Sequence, residues 1–501
     1  MSALDPTTTR HRTTTGSESV HPKDELAYGI AAHDIDPIAE QKLRRKLDMR
    51  ILPIVTICYL FLFLDRGNVG NARSAGLVED LGLHTYDFNI GTSLFYVCYL
   101  LFEIPFALLI KRVGFMLVPF SIIAFGLVTT FSAFMHNRTG FFLTRVILGI
   151  SEAVTMPGIS YLLTRYYRRH ELTSRVGCFM LVAAACGGGF GGLLAAGLLR
   201  VGRIGSRRGW NNIFLVEGII TVGWGILMIW LFPTDPENSK MLNEEERALA
   251  IRRMYVDQPS IGTTKEKATK KLVKRGVFSV TTIACSWICI VDNLSVQGLG
   301  IFLPSILRVN YPEASTIRIQ LLVVPVYAVA GVVSLICTIG CVRYRIHWPF
   351  CLFGGVLTII GYSIWITTDS TFTKARYAAC FLNLTGGLIN GPVVIGWAAA
   401  NSSPDTIRAM VGAVTTGIGG IGSIAGVWAY VATDAHTGYH KGNSFNLAMA
   451  ASLVVCCLTL LGWQVRENRV REKGGRDYRL EREREEVEVL GSLHPRFKLI
   501  H

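Results

Sequence analysis

The chain has 501 residues, of which 50% are hydrophobic and only 17% charged, with a formal net charge of +14. A soluble protein of this length would carry more charge, and the apolar residues fall in blocks of about 20, the length that crosses a bilayer. The basic excess does not point to nucleic acid, because Lys and Arg collect in the segments between the apolar blocks, as the positive-inside rule requires.

The first 50 residues are polar and contain Thr7-Thr8-Thr9-Arg10-His11-Arg12-Thr13-Thr14-Thr15, which reads as a disordered tail. No apolar signal-peptide core precedes the first block, so the first span is expected to serve as the targeting signal. Six spans follow: Ile51 to Ala72, Asn89 to Ile110, Met116 to Phe134, Gly140 to Leu163, Val176 to Leu199 and Ile213 to Phe232. A polar connector, residues 233–276, holds Glu244-Glu245-Glu246-Arg247 and the basic run Lys265 to Arg275. Six more spans are Val277 to Phe302, Ile319 to Cys341, Trp348 to Ile366, Tyr377 to Ala400, Ala409 to Ala432 and Phe445 to Val465. Residues 467–501 form a charged tail, whose Arg479 to Leu490 stretch reads as a solvated helix.

The fold class is therefore an all-α polytopic membrane protein with twelve transmembrane helices in two six-helix halves, 51–232 and 277–466. Lys and Arg place both termini and the connector in the cytoplasm. The cluster Arg200, Arg203, Arg207 and Arg208 falls on the opposite side and runs against that rule. The 12 cysteines lie almost wholly inside apolar runs, with Cys285/Cys289 and Cys337/Cys341 at i, i+4, and read as packing residues. No cofactor or metal is implied, and no phosphate-binding GxxxxGK[ST] is present. Gly187-Gly188-Gly189-Phe190-Gly191-Gly192 and Gly417-Ile418-Gly419-Gly420-Ile421-Gly422 fit GxGxxG but sit inside apolar spans, where glycine rows signal close helix contact.

Charges inside a bilayer cost roughly 2.5–3.5 kcal/mol each by insertion scales, so those that occur there are candidates for function. Asp65 and Arg66 are adjacent in the first span. Neighbours on a helix point in different directions, so each needs its own partner. An Asp65–Arg145 pair would leave Arg66 to meet substrate or headgroups. Glu152 lies seven residues after Arg145 on the same helix face and reads either as a proton carrier or as a clamp on neighbouring backbone. Asp292, with Asn293 and Gln297 nearby, reads as a group for substrate or proton. Asn383 and Asn390 read either as substrate donors or as helix–helix glue. Tyr96, Tyr327 and Trp397 are candidate aromatic walls. Glu103 and Arg408 are assigned to structural ion pairs, and Pro105 and Pro157 to kinks. Asn137-Arg138-Thr139 is a glycosylation sequon at Asn137 in a short loop.

Several ordered segments resemble the major facilitator superfamily, and within it the fungal allantoate permease branch of anion:cation symporters. They are Leu64-Asp65-Arg66-Gly67-Asn68-Val69-Gly70-Asn71-Ala72, Tyr99-Leu100-Leu101-Phe102-Glu103-Ile104-Pro105, Arg145-Val146-Ile147-Leu148-Gly149-Ile150-Ser151-Glu152-Ala153 with Met156-Pro157-Gly158, Phe232-Pro233-Thr234-Asp235-Pro236-Glu237, Phe302-Leu303-Pro304-Ser305-Ile306-Leu307 and Trp397-Ala398-Ala399-Ala400-Asn401. The chain departs from that pattern at Asn211-Asn212, where the family carries a second tryptophan.

The resemblance implies a membrane transporter, not an enzyme: a monomeric plasma-membrane importer of a small organic anion with protons. Its first, fourth, seventh and tenth helices are expected to line a central cavity. Arg145 is then the anion anchor, with Arg66, Asn383, Asn390 and Trp397 beside the substrate. Glu152, Asp292 and Asp65 are the proton-coupling candidates. Export of an acidic secondary metabolite and nutrient sensing are the alternatives.

Overall fold

The computed structural model describes residues 35–201, 209–257, 270–369, 371–403, 405–481 and 491–500. Among them, eleven helices are long and apolar enough to cross a membrane, and Leu117–Ser132 is a shorter apolar helix at the third position. The twelve occur in the expected order, six on each side of the connector. The early tail, the basic run up to Thr269, Arg203, Arg207, Arg208 and the stretch 482–490 lie outside the described residues.

The first helix spans Pro37–Ser74 and so begins well before Ile51. Asp36 caps it, its side chain accepting from Ile38 N at 2.9 Å, and Pro37 follows at the first turn, where its missing N–H costs nothing. The polar turns before Ile51 are helical because they have partners. Arg253, on the connector helix Glu244–Asp257, donates to both Glu171 oxygens and to Glu40 at 2.9 Å each. Lys46 meets Glu246 at 2.5 Å, and Arg175 Nη2 donates to Asp48 at 3.0 Å. Residues 37–50 therefore belong to the folded body and not to a disordered tail.

The fourth span is two helices, Arg138–Glu152 and Thr155–Tyr166. Pro157 cannot donate to the Ala153 carbonyl, which is the local reason for the break. Asn137 caps the first piece, its Oδ1 accepting from Gly140 N at 2.8 Å. Arg200 ends the fifth span, Arg169–Arg200, and is exposed.

The halves meet through the first and seventh, fifth and eighth, second and eleventh, and fifth and tenth spans. Both glycine rows serve close approach, Gly192 against the Gln320 carbonyl and Gly422 against the Ile290 carbonyl. The segment 491–500 returns to the connector face. Leu499 N donates to Asn468 Oδ1 at 3.0 Å, Ile500 N donates to Asn401 Oδ1 at 2.8 Å, and Arg471 Nη1 donates to the Phe497 carbonyl at 2.6 Å.

Candidate functional site

A cavity of about 170 Å³ lies between the halves. The first, second, fourth and fifth spans line one side of it, and the seventh, tenth and eleventh line the other. Its wall is mostly aromatic and apolar, including Phe63, Tyr96, Met156, Met180 and Leu388. The lining positions sit at mid-depth and toward the face that carries the connector. On the opposite face the halves touch: Asn89 Nδ2 donates to the Val427 carbonyl at 2.6 Å, Gln320 Nε2 donates to Ser74 Oγ at 2.9 Å, and Arg308 reaches Ser74 O at 3.5 Å. At mid-depth the Tyr96 hydroxyl donates across the gap to Gln297 Oε1 at 3.1 Å.

Arg66 faces this cavity. Its Nε donates to Glu152 Oε2 at 3.0 Å, and its guanidinium lies over the Tyr99 ring at 4.6 Å and the Phe95 ring at 5.5 Å. The Glu152 side chain is fully buried. Asp65 is not part of the cavity lining; its Oδ1 accepts from Thr129 Oγ1 of the third span at 2.6 Å, and its carboxyl lies within hydrogen-bonding reach of the Glu152 carboxyl, a contact that needs a proton between the two groups.

The expected Asp65–Arg145 contact is replaced by a longer-range relationship. Arg145 is buried between the Phe141 and Phe214 rings, each at 5.8 Å, and its Nε and Nη2 find no hydrogen-bond partner. It lies within electrostatic reach of Asp65 and Glu152 without an ion pair at 4 Å or less. Arg66 and Asp65 both reach the fourth-span carboxylate Glu152, Arg66 as its ion-pair partner at 3.0 Å. The guanidinium on the wall of the cavity is accordingly that of Arg66, and Arg145 lines a small side recess beside it.

Glu217 of the sixth span joins the same layer and was not anticipated. It is buried close to Asp65, with the Asn68 side chain as its hydrogen-bonding neighbour and no ion pair. A lone carboxylate in the uncharged run Ile213 to Leu231 was the available signal. The cluster thus contains three carboxylates, Asp65, Glu152 and Glu217, and two guanidiniums, Arg66 and Arg145. Buried unpaired charge is expensive and is relieved by neutralisation. This cluster is neutral only with one proton bound.

On the opposite wall, Asp292 and Asn293 line the cavity as expected. Asn383 and Asn390 do not. They face the ninth span at its glycines, Asn383 packing against Gly361 and Asn390 Oδ1 lying 2.7 Å from where a Gly354 Cβ would stand. The seven-residue spacing of the asparagines matches that of the glycines on the antiparallel neighbour, so the pair serves helix contact. Trp397 is fully buried near the connector face, its Nε1 donating to the Ile500 carbonyl at 3.1 Å, so it is not a cavity wall. Tyr327 reaches a smaller neighbouring recess. Glu103 lines the cavity and takes no ion pair, whereas Arg408 Nε donates to the Ser402 carbonyl at 3.1 Å.

Comparison with known proteins agrees with this architecture. Residues 55–427 match the family model described as Major Facilitator Superfamily. An uncharacterized transporter of Schizosaccharomyces pombe is 32% identical over 432 residues, covering 84% of each chain. The high-affinity nicotinic acid transporter of Saccharomyces cerevisiae is 28% identical over 433 residues, covering 86% of this chain and 79% of that one. Among solved structures, the proton:xylose symporter XylE aligns with a TM-score of 0.62 at 15% identity, over 83% of this chain and 95% of that one. A bacterial homolog of the human lysosomal transporter Spinster, inward-facing and unoccupied, aligns with a TM-score of 0.61 at 16% identity, over 81% and 95%. The chain is a multi-pass membrane transporter, belongs to the Major Facilitator Superfamily, and is akin to its fungal permeases.

Proposed function

We propose that the protein imports a small organic anion together with protons by alternating access. One observation carries this reading. Arg66 is the sole Lys or Arg among the described residues lining the large cavity, and it is already held by Glu152 at 3.0 Å in a cluster one proton short of neutrality. An anion that docks on Arg66, whose Nη2 has no hydrogen-bond partner, competes with Glu152 for the same positive charge. A proton on Glu152 weakens that ion pair and keeps the buried carboxyl uncharged, so proton and anion favour each other.

The mid-membrane cavity between two six-helix bundles suits rocking of one half against the other. The relative named for nicotinic acid supports a carboxylate of vitamin size. The distribution of Lys and Arg supports cytoplasmic termini, and with that orientation the cavity faces inward. We assign the protein to the plasma membrane as a monomer in contact with lipid.

The test is uptake by proteoliposomes containing the full-length chain. A panel of labelled vitamin and ureide carboxylates is offered with the outside acidic, and again with a protonophore. Accumulation that collapses with the protonophore is expected for at least one acid. Equal uptake with and without the pH gradient removes the coupling. Efflux driven by the gradient, with no uptake, favours export of an acidic metabolite.

A further inference from the structure

The two walls of the cavity differ in hydrogen-bonding character. The wall from the first half presents the Arg66 guanidinium and the hydroxyls of Tyr59 and Tyr99 as donors, with Glu103 as its one carboxyl. The wall from the second half has no Lys or Arg, and around Asp292 it presents acceptors. Asp292 Oδ1 is buried with no hydrogen-bond partner, and no described cation forms an ion pair with this carboxylate. Its Oδ2 lies 3.2 Å from where a Cβ of Gly391 would stand, so the missing side chain leaves that oxygen uncovered. Asn293 spends its Nδ2 on the Cys289 carbonyl at 3.0 Å, which leaves Oδ1 as an acceptor. Pro392 has no N–H for the Leu388 carbonyl, and both residues line the cavity. Gln297 already accepts from Tyr96.

A simple anion answers only the first wall. It would leave the buried Asp292 Oδ1 and the Asn293 Oδ1 without a donor, which is costly. We propose that the cargo is a dipolar organic acid, its carboxylate directed to Arg66 and an N–H group at its other end directed to Asp292 and Asn293. This rests on the reading that a carboxylate is the cargo, and adds to it the group at the far end. The aromatic wall fits a flat ring between the two ends. Asp292, expected from sequence to serve substrate or proton, is here a substrate-recognition residue.

The experiment uses two acids of the same shape, pyrrole-3-carboxylate and furan-3-carboxylate, which differ by N–H against O at a ring position remote from the carboxylate. Binding to the purified full-length transporter is measured by calorimetry at an acidic and a neutral pH. The pyrrole acid is expected to bind at least about tenfold more tightly, because a site built to accept from an N–H rejects the analogue that lacks it. Asp292→Asn is expected to narrow that preference to within about threefold. Gly391→Ala, which covers Oδ2 without changing the carboxylate, narrows it by a second route.

Equal binding of the two acids by the wild-type protein overturns the proposal, and this comparison needs no variant. So does an Asp292→Asn protein that loses both acids in equal proportion, the behaviour of a proton carrier. Failure of the underlying carboxylate reading looks different: neither acid binds at either pH while the matching carboxamides do. That outcome overturns both.

Discussion

Gly70 of the first span lies directly against the Ile301 backbone of the seventh, and a Cβ at Gly70 would overlap the Ile301 carbonyl oxygen. This contact, on the face away from the connector, lets the two halves close there. Gly70→Ala is expected to disfavour the closed face by about 1–3 kcal/mol, the usual cost of overpacking. The population shifts toward the arrangement open on that face. Labelling of a single cysteine introduced near Gln320 should become faster in the variant, and an unchanged rate would show that Gly70 is not a closure point.

The charge count in the buried cluster gives a second expectation. Glu217→Gln removes one of three carboxylates and leaves the other two balanced by Arg66 and Arg145 without a proton. Exchange of labelled for unlabelled substrate should persist, while accumulation driven by a pH gradient should fall toward equilibrium. Retention of full gradient-driven accumulation would place the coupling proton elsewhere.

Arg253 is nearly fully buried, yet it joins the connector helix to both Glu171 and Glu40. Arg253→Ala strands Glu171 without its closest partner and is expected to destabilise the protein by about 3–5 kcal/mol. Thermal unfolding in detergent should report this directly. Arg253→Lys should recover only part, because an ammonium cannot span both carboxylates with a planar fork.

Acid sensitivity on the same face has a definite sign. The Lys46 ammonium, bonded to Glu246, holds that carboxyl below its ordinary value of 4.5. A pKa depressed in the folded state contributes stability that is present above the unfolded value and lost as the pH falls through the folded one. Both side chains are partly exposed, so the contribution is under about 1 kcal/mol. Lys46→Met should therefore lower stability at neutral pH and flatten its decline on the acid side of 4.5, read from melts across that range.

Asn383 tests the assignment of the tenth span to packing. Asn383→Ala removes an amide whose two polar atoms are buried without partners. Transport should stay within about threefold of wild type, since the lost group satisfies nothing and the change is mainly a small cavity. A large rise in KM with an unchanged melting profile would instead return Asn383 to the substrate.

The two six-helix halves were legible because span length and connector charge are set by the bilayer itself. The charged residues were equally conspicuous, since Asp65, Arg66, Arg145 and Glu152 interrupt apolar runs. Their pairing was not legible. Adjacent residues on a helix differ in direction by about 100°, a consequence of 3.6 residues per turn, and which partner each one meets depends on how the helices are rotated in the bundle. Asn383 and Asn390 show the same limit, because seven-residue spacing serves a ligand and a neighbouring helix alike. Trp397 lies near a backbone that returns from about a hundred residues later, which no local pattern announces.

The interruption in the fourth span falls directly after Glu152, yet Ala153 and Val154 keep right-handed helical angles. The span therefore runs on as one apolar rod of 29 residues, Arg138–Tyr166, lacking the backbone bond that Pro157 cannot make. Its least-bonded turn thus adjoins the layer where its buried charges lie.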